Sequence, residues 1–125
     1  MTIRFVNYIV FFVTTARAIT AIYLALDHLL SAAHPNGRHK AKFFTGFGFF
    51  AADWQLLANA LVEHAVEHGV ANVEPSPFGI RYVIEGKVVS PDLRNPLIRT
   101  VWFIETNSNI PYFVTAYPME GKTHD

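Results

Sequence analysis

Hydrophobic residues in the first half of the chain recur three and four positions apart, the spacing that places them on one face of an α-helix. The pattern predicts a first helix over residues 18–33. Pro35 and Gly37 follow it and are typical of a helix end. Its apolar face would consist of Ile19, Ile22, Tyr23, Leu26, Leu29 and Leu30.

Two more helices are predicted before residue 70. A short one runs from Arg38 to Phe47 with Ala41 and Phe44 facing inward, and the glycines after Thr45 end it. A longer one covers residues 53–69, with Asp53 as N-cap and Gly69 as the C-terminal stop. Its apolar stripe would be Leu56, Leu57, Ala60, Leu61, His64 and Ala65.

The second half of the chain alternates between apolar and polar residues with period two, which indicates β-strands. Strands are predicted at residues 80–89, 97–106 and 112–117, joined by polar turns as an antiparallel meander. A fourth strand would come from residues 70–75 or from residues 5–13. The expected fold class is therefore α+β, with two to three N-terminal helices packed on one face of a small antiparallel sheet of three to four strands.

With 125 residues, the chain has room for one domain. We expect residues 16–118 to form it and residues 119–125 to be a flexible tail. Residues 1–15 are an apolar extension with three interpretations: a buried strand or helix, a membrane or signal segment, or a stretch preceding the true start codon. The apolar run is about 12 residues, short of the roughly 20 that span a bilayer, so a membrane partner is not expected.

Charge and composition narrow the function classes. Ten basic and ten acidic residues give zero net charge, so an anion site must be a local patch rather than the whole surface. The chain has no cysteine, which excludes a disulfide scaffold, thiolate-bound zinc and a cysteine nucleophile. The composition is consistent with a reducing cytoplasm, and no cofactor motif is present.

The segment from His34 to Lys42 is the main candidate site. A Pro-Asn-Gly turn precedes a helix start that carries Arg38, His39, Lys40 and Lys42. Helix N-termini and basic side chains favour phosphate, and histidine can act as an acid or a base near neutral pH. The alternative is a solvated basic helix surface, with His34 only capping the preceding helix.

His64 and His68 stand four residues apart on the third predicted helix, a spacing that can face one metal ion. The metalloprotease signature needs Glu directly after the first histidine, and Ala65 stands there instead. A core or boundary histidine with its hydrogen bonds satisfied is the favoured interpretation, and no metal site is predicted.

Polar and aromatic residues also alternate on the last two strands. Thr100 and Trp102 share one face of their strand, and Thr115 and Tyr117 share one face of theirs. If the two faces coincide, hydroxyls and rings would line a surface for a nucleotide. The alternative is ordinary cross-strand pairing of residues that favour strands.

The stretch from Asp27 to Phe44 resembles an uncharacterised bacterial domain family, a domain of unknown function. The resemblance rests on His34-Pro35-Asn36-Gly37-Arg38-His39-Lys40-Ala41, which fits the motif His-Pro-x-Gly-x-His-Lys-Ala. Weaker landmarks are Tyr82-Val83-Ile84, Arg99-Thr100-Val101-Trp102-Phe103-Ile104 and Val114-Thr115-Ala116-Tyr117. The resemblance covers roughly residues 16–118 and implies no activity.

A looser similarity, of architecture alone, connects the chain to the barnase–EndoU–colicin–RelE class of ribonucleases. It implies metal-independent, toxin-like or phage-associated RNA cleavage. His34 or His39 would be the acid or base, Arg38 and Lys40 would stabilise the phosphorane, and Thr115 and Tyr117 would orient the phosphate or base. The candidate substrate-binding residues are Lys42, Arg81, Arg99 and Trp102.

The competing hypothesis is a non-catalytic protein-binding module, either a toxin accessory or immunity partner or a self-associating domain. Zero net charge and the many aromatic residues motivate it. The two hypotheses differ in their expected partner, which is RNA in the first case and a protein or second copy in the other. The discriminating observation is whether the basic segment meets Thr115 and Tyr117.

Overall fold

A computed structural model describes residues 38–108 and 110–119. Helix α1 is Arg38–Gly46, a 3-10 turn follows at Ala51–Asp53, and helix α2 is Trp54–Glu67. The strands are β1 (Val70–Ser76), β2 (Gly79–Lys87), β3 (Leu97–Glu105) and β4 (Pro111–Pro118). The predicted helix over 18–33 and the alternative strand over 5–13 lie outside the described residues.

The four strands form one antiparallel sheet in the order β1-β2-β3-β4. This confirms the predicted antiparallel meander, and β1 shows that residues 70–75, one of the two segments considered for a fourth strand, form one. The β1–β2 hairpin depends on Gly79, which has φ +155°, and a Cβ there would lie 2.3 Å from the carbonyl oxygen of Ile104. Only glycine allows β2 and β3 to approach each other this closely.

Helix α2 packs on one face of the sheet, which we call the inner face. The buried side chains include Tyr82, Ile84, Ile98 and Trp102 from the sheet and Leu57, Ala60, Leu61, His64 and Ala65 from α2. The predicted stripe was wrong at Leu56, which is 51% exposed. Successive residues differ by about 100° around a helix, so Leu56 lies at the margin of the stripe beyond the sheet.

Helix α1 lies beside β4 at the sheet edge. Ala41 and Phe44 are buried as predicted, and Phe44 joins the core between α2 and the sheet. Lys40, one turn earlier, reaches Thr115 on the opposite face of β4. Among the described helices, only α2 therefore packs on a single face, which corrects the prediction that the helices share one face.

Asp53 precedes α2 as predicted, but its side chain makes no capping hydrogen bond. The reason is conformational: residues 51–53 already form a 3-10 turn, and Asp53 has φ −118° and ψ 48° instead of the extended backbone of a capping residue. The helix also ends at Glu67, two residues before the predicted stop at Gly69.

Arg94 fastens the loop between β2 and β3 to the end of α1. Its Nη2 donates to the carbonyl of Gly46 at 2.6 Å, and its guanidinium lies 4.4 Å from the centre of the Phe47 ring. Asp92 holds the same side chain through a 2.6 Å contact with Nε. The hydrogen bond from Arg94 satisfies a carbonyl at the C-terminal end of α1, where a positive charge is also favoured by the helix dipole.

Within the described part of the chain, no helix combines the length and the apolar character that a bilayer span requires.

Candidate functional site

The face of the sheet opposite α2, here called the outer face, carries the residues of the candidate site. In the antiparallel register, Glu85 faces Arg99, and Arg99 faces Tyr117 on the next strand. Thr115 faces Val101 in the neighbouring row. Cross-strand partners project on the same side of a sheet, so these side chains form one continuous group.

Lys40 joins this group from helix α1. Its Nζ donates a 2.8 Å hydrogen bond to Oγ1 of Thr115, 75 residues later in the chain. The side chains of Lys40 and Thr115 are both partly buried, so the ammonium is held near β4 and is not extended into solvent. The N-terminal half of the sequence thus supplies one cation to a site built on the last strands.

Two cations lie near the ring of Tyr117. Lys40 Nζ is 5.7 Å and the Arg99 guanidinium carbon 5.6 Å from the ring centroid. Both distances fall within the range of attraction between a cation and an aromatic ring. The result is a small positively charged cluster with a phenol at its centre.

Arg99 is also paired with a carboxylate. Its Nε and Nη2 lie 2.7 Å and 2.5 Å from Oε2 of Glu85. The pKa of Arg99 is raised above its ordinary value. The largest cause is a hydrogen bond to Tyr117, and the next is the hydrogen bond to Glu85. The guanidinium is therefore a permanent charge held between β2 and β4.

The chemistry of this cluster suits a phosphate or another oxyanion. Lys40 and Arg99 supply positive charge, and the hydroxyls of Thr115 and Tyr117 supply further hydrogen-bond donors. Val101, opposite Thr115, is fully buried and gives the cluster an apolar border. Cations and hydroxyls beside an apolar surface bind an anion more strongly than they would in open water.

The structure gives less information on the other predicted residues of the basic segment, and it connects none of them to the outer-face cluster through a described contact. His34 lies outside the described residues. Arg38 and His39 are described only as backbone of the first turn of α1. Lys42 is exposed on α1, and no described contact brings it to Thr115 or Tyr117. Lys40 is thus the residue of this segment that the structure brings to the strands.

Arg81 lies on the outer face, but in a different row. It forms an exposed ion pair with Glu74 at 3.2 Å and stands opposite Phe103, four positions along β3 from Arg99. Phe103 in turn stacks with Tyr112 at a centroid distance of 6.3 Å. Arg81 therefore belongs to the far end of the face, away from Lys40.

Thr100 and Trp102 do not share a face with Thr115 and Tyr117, so the surface that depended on this coincidence does not form. Thr100 stands opposite Ala116, and both Thr100 and Trp102 are buried on the inner face. With its ring buried, Trp102 is not open to stack on a base. The structure therefore gives Trp102 no accessible surface with which to bind substrate, contrary to the expectation.

Thr100 instead belongs to a buried chain of hydrogen bonds. Trp102 Nε1 donates to Thr100 Oγ1 at 3.0 Å, and this hydroxyl lies 3.3 Å from His64 Nδ1. His64 Nε2 lies 3.2 Å from the carbonyl oxygen of Gly86, which can only accept. The consistent arrangement is a neutral imidazole that donates from Nε2 to Gly86 and accepts from the Thr100 hydroxyl at Nδ1.

His64 is 1% exposed, which confirms the prediction of a satisfied core histidine. Burial, and then the neighbouring His68, lower its pKa to about 4, while the carbonyls of Gly86 and Ile98 oppose the shift. The two imidazole centroids are 4.9 Å apart. Among the described residues, no group of three or more histidine, aspartate and glutamate side chains is arranged to hold a metal ion.

Sequence reasoning missed Glu85 as a member of the outer-face cluster. Alternation places Glu85 on the same face of its strand as Val83, and no second carboxylate is nearby in sequence. The available signal was the register, since a hairpin that pairs Gly86 with Ile98 necessarily sets Glu85 opposite Arg99.

The comparison with known families identifies the chain. It belongs to the family described as Domain of unknown function (DUF6883), whose model matches residues 15–120. This confirms the resemblance to an uncharacterised domain family. No curated protein and no solved structure matches the chain.

Proposed function

We propose that this domain is a metal-independent ribonuclease that uses the outer-face cluster to bind the scissile phosphate. The observation that carries the proposal is the convergence of Lys40 from α1 with Thr115, Tyr117 and Arg99 on the last two strands. Such a cluster stabilises the negative charge that develops on a phosphate during its attack.

The proposed reaction is an internal transfer within RNA. The 2′-oxygen attacks the adjacent phosphorus and loses its proton to a base, while the bond from phosphorus to the 5′-oxygen breaks. The 5′-oxygen takes a proton from an acid, which leaves a 2′,3′-cyclic phosphate and a 5′-hydroxyl. Lys40 and Arg99 would neutralise the phosphorane, and the hydroxyls of Thr115 and Tyr117 would donate to its oxygens.

The acid and base roles are proposed for His34 and His39. His39 directly precedes Lys40 in the chain, and we propose that its imidazole reaches the phosphate that Lys40 contacts. Histidine is suited to both roles because its ordinary pKa is near 6.5. Arg38 would add positive charge at the same helix start, and Lys42 and Arg81 would hold more distant parts of an RNA chain.

The proposal is tested by incubating purified protein with single-stranded RNA in the presence of a chelator and identifying the ends of the products. We expect 2′,3′-cyclic phosphate and 5′-hydroxyl termini, and no reaction with the matching DNA, which lacks the 2′-hydroxyl. Cleavage that disappears with the chelator, or intact RNA across pH 5–8, would contradict the proposal.

We further propose a cytoplasmic location, which the absence of cysteine supports.

A self-associating, non-catalytic domain is the second candidate function. A shallow groove of about 270 Å³ lies between α2 and the loop after β2, with the half-exposed Leu56 and Val89 on its two sides. Apolar residues in such a position favour contact with a second copy. Sedimentation of the wild type and of Leu56→Ser tests this candidate: a dimer that the substitution dissociates supports it, and a wild-type monomer at high concentration excludes it.

A further inference from the structure

Glu85 is the acidic residue of the outer-face cluster, and no role has been assigned to it so far. One of its carboxylate oxygens, Oε2, accepts from both Nε and Nη2 of Arg99. The side chains of Glu85 and Arg99 are 33% and 34% exposed, so the pair is partly sheltered from water. Their backbones stand directly opposite each other on β2 and β3.

The pair restricts the direction in which Arg99 can point. An arginine side chain is long and flexible, so holding it in one place costs rotamer entropy. Glu85 holds the guanidinium from the β2 side, and Tyr117 contacts it from the β4 side. The guanidinium has five N–H donors. Two of them serve Glu85 and one serves Tyr117, which leaves two for other acceptors.

We propose that Glu85 is a positioning residue for the ribonuclease reaction proposed above, on which this inference rests. Its carboxylate fixes Arg99 so that the free N–H groups face the same phosphodiester that Lys40 contacts. The substrate class that follows is a singly charged internal phosphodiester of RNA, because Glu85 offsets part of the cationic charge that a terminal phosphate dianion would need.

Removing the carboxylate should separate binding from turnover. In Glu85→Gln, Arg99 keeps its charge and the cluster gains net positive charge, so RNA should bind equally well or more tightly. The neutral amide oxygen, however, holds the guanidinium less firmly than the carboxylate does, so Arg99 can leave the geometry of the reaction. Small misplacements of a catalytic group lower rates strongly, by up to about 100-fold for about 1 Å.

The experiment compares steady-state cleavage of a single-stranded RNA by wild type, Glu85→Gln and the matched control Glu63→Gln. Glu63 is an exposed carboxylate on α2, so its replacement makes the same change of charge away from the outer face. We expect kcat to fall about tenfold or more in Glu85→Gln with KM unchanged or lower, and both constants to be unchanged in Glu63→Gln.

A double-mutant cycle with Arg99→Ala separates positioning from a purely structural effect. If Glu85 acts through Arg99, adding Glu85→Gln to Arg99→Ala causes no further loss of kcat. A loss of the same size in both backgrounds would overturn the assignment, because it would reflect a general disturbance of the sheet. Urea unfolding of all variants accompanies the kinetics, so that any unfolded fraction is subtracted from the enzyme concentration.

The outcomes also separate this inference from the proposed function. If the wild type cleaves RNA and Glu85→Gln cleaves it with the same kcat, the positioning role is wrong and the ribonuclease function stands. If the wild type does not cleave RNA, the proposed function fails and the role of Glu85 fails with it.

Discussion

The ammonium of Lys40 donates a 2.8 Å hydrogen bond to the hydroxyl of Thr115, and these two residues are 75 positions apart in the chain. The contact joins helix α1 to the outer face of strand β4. It brings a residue of the basic segment next to a second cation, Arg99, and to the phenol of Tyr117. The proposed ribonuclease site depends on this convergence.

The hydrogen bond itself should contribute modestly to stability. In Thr115→Val, the side chain keeps its shape and loses the acceptor, while the partly buried ammonium of Lys40 can still reach water. We expect the free energy of unfolding to fall by about 0.5–1.5 kcal/mol, measured by urea denaturation. Thr45→Val is the control, since the Thr45 hydroxyl makes only an exposed bond within α1. An equal loss in both variants would contradict the special status of the Lys40 contact.

The buried His64 should make stability depend on pH. Its pKa is about 4 in the folded protein and near 6.5 when exposed, so the unfolded chain takes up a proton that the folded one refuses. Above pH 6.5 the neutral His64 makes its full contribution to the free energy of unfolding. As the pH falls from 6.5 to 4, this contribution is lost progressively, and the total loss is about 3 kcal/mol. An NMR titration of the imidazole should give a midpoint near 4, and a midpoint near 6.5 would contradict the buried neutral histidine.

Thr100 should be difficult to replace. It accepts from Trp102 Nε1 and lies against His64 Nδ1 in the core, and all three side chains are buried. Thr100→Val removes the hydroxyl without changing the volume much and leaves two buried polar atoms without this partner. We expect a loss of about 2–4 kcal/mol in urea denaturation, because each unsatisfied group costs about 1–3 kcal/mol. A loss below about 0.5 kcal/mol would show that the chain of hydrogen bonds does not form.

The ring of His68 should leave no room for a side chain at position 86, so that glycine is needed there. A Cβ at Gly86 would lie 2.5 Å from Cγ and Nδ1 of that imidazole, so the ring must move. Gly86→Ala should cost about 1–3 kcal/mol, the range for overpacking. Gly69→Ala is the matched control, since a Cβ there meets nothing within 4 Å. The diagnostic variant is Gly86→Ala combined with His68→Ala, which should recover most of the loss, and failure to recover would place the strain elsewhere.

Arg94 should stabilise the fold beyond the usual value of a surface ion pair. Its side chain contacts three groups at once: the Gly46 carbonyl, the Asp92 carboxylate and the Phe47 ring. We expect Arg94→Ala to lower the free energy of unfolding by about 1–2 kcal/mol, and Arg94→Lys to restore less than half, because lysine lacks the planar fork. Arg81→Ala, which breaks an exposed ion pair, should cost less than about 1 kcal/mol. Equal losses for both positions would refute the bridging role.

Much of the fold follows from local patterns. Period-two alternation located three strands to within about two residues and gave residues 70–75 as one of two alternatives for the fourth. The helical spacing found α2 and the inward direction of Ala41 and Phe44. These features depend on neighbouring residues and on the direction of side chains along one element. Leu56 shows the limit, because the edge of a buried stripe depends on where the facing sheet ends.

The candidate site was predictable only in part, because it depends on how separate strands align. Thr115 and Tyr117 do share one face, as alternation predicts, but the sequence does not show that Thr115 stands opposite Val101 instead of Thr100. A register shift in the β3–β4 ladder, between Val101 and Trp102, adds to the difficulty. A shift of one residue moves every side chain to the other face, which is why alternation alone left open whether Thr100 and Trp102 share a face with Thr115 and Tyr117.

The single-turnover rate of RNA cleavage in Lys40→Ala shows most directly whether Lys40 belongs to the proposed phosphate site. Lys87→Ala serves as control, since it removes an exposed cation of β2 that no described contact links to Thr115 or Tyr117. If Lys40 belongs to one site with Thr115, Tyr117 and Arg99, its removal lowers the rate about 100-fold or more while the protein remains folded, and Lys87→Ala cleaves at nearly the wild-type rate. A Lys40→Ala protein that cleaves RNA as fast as the wild type would contradict the claim.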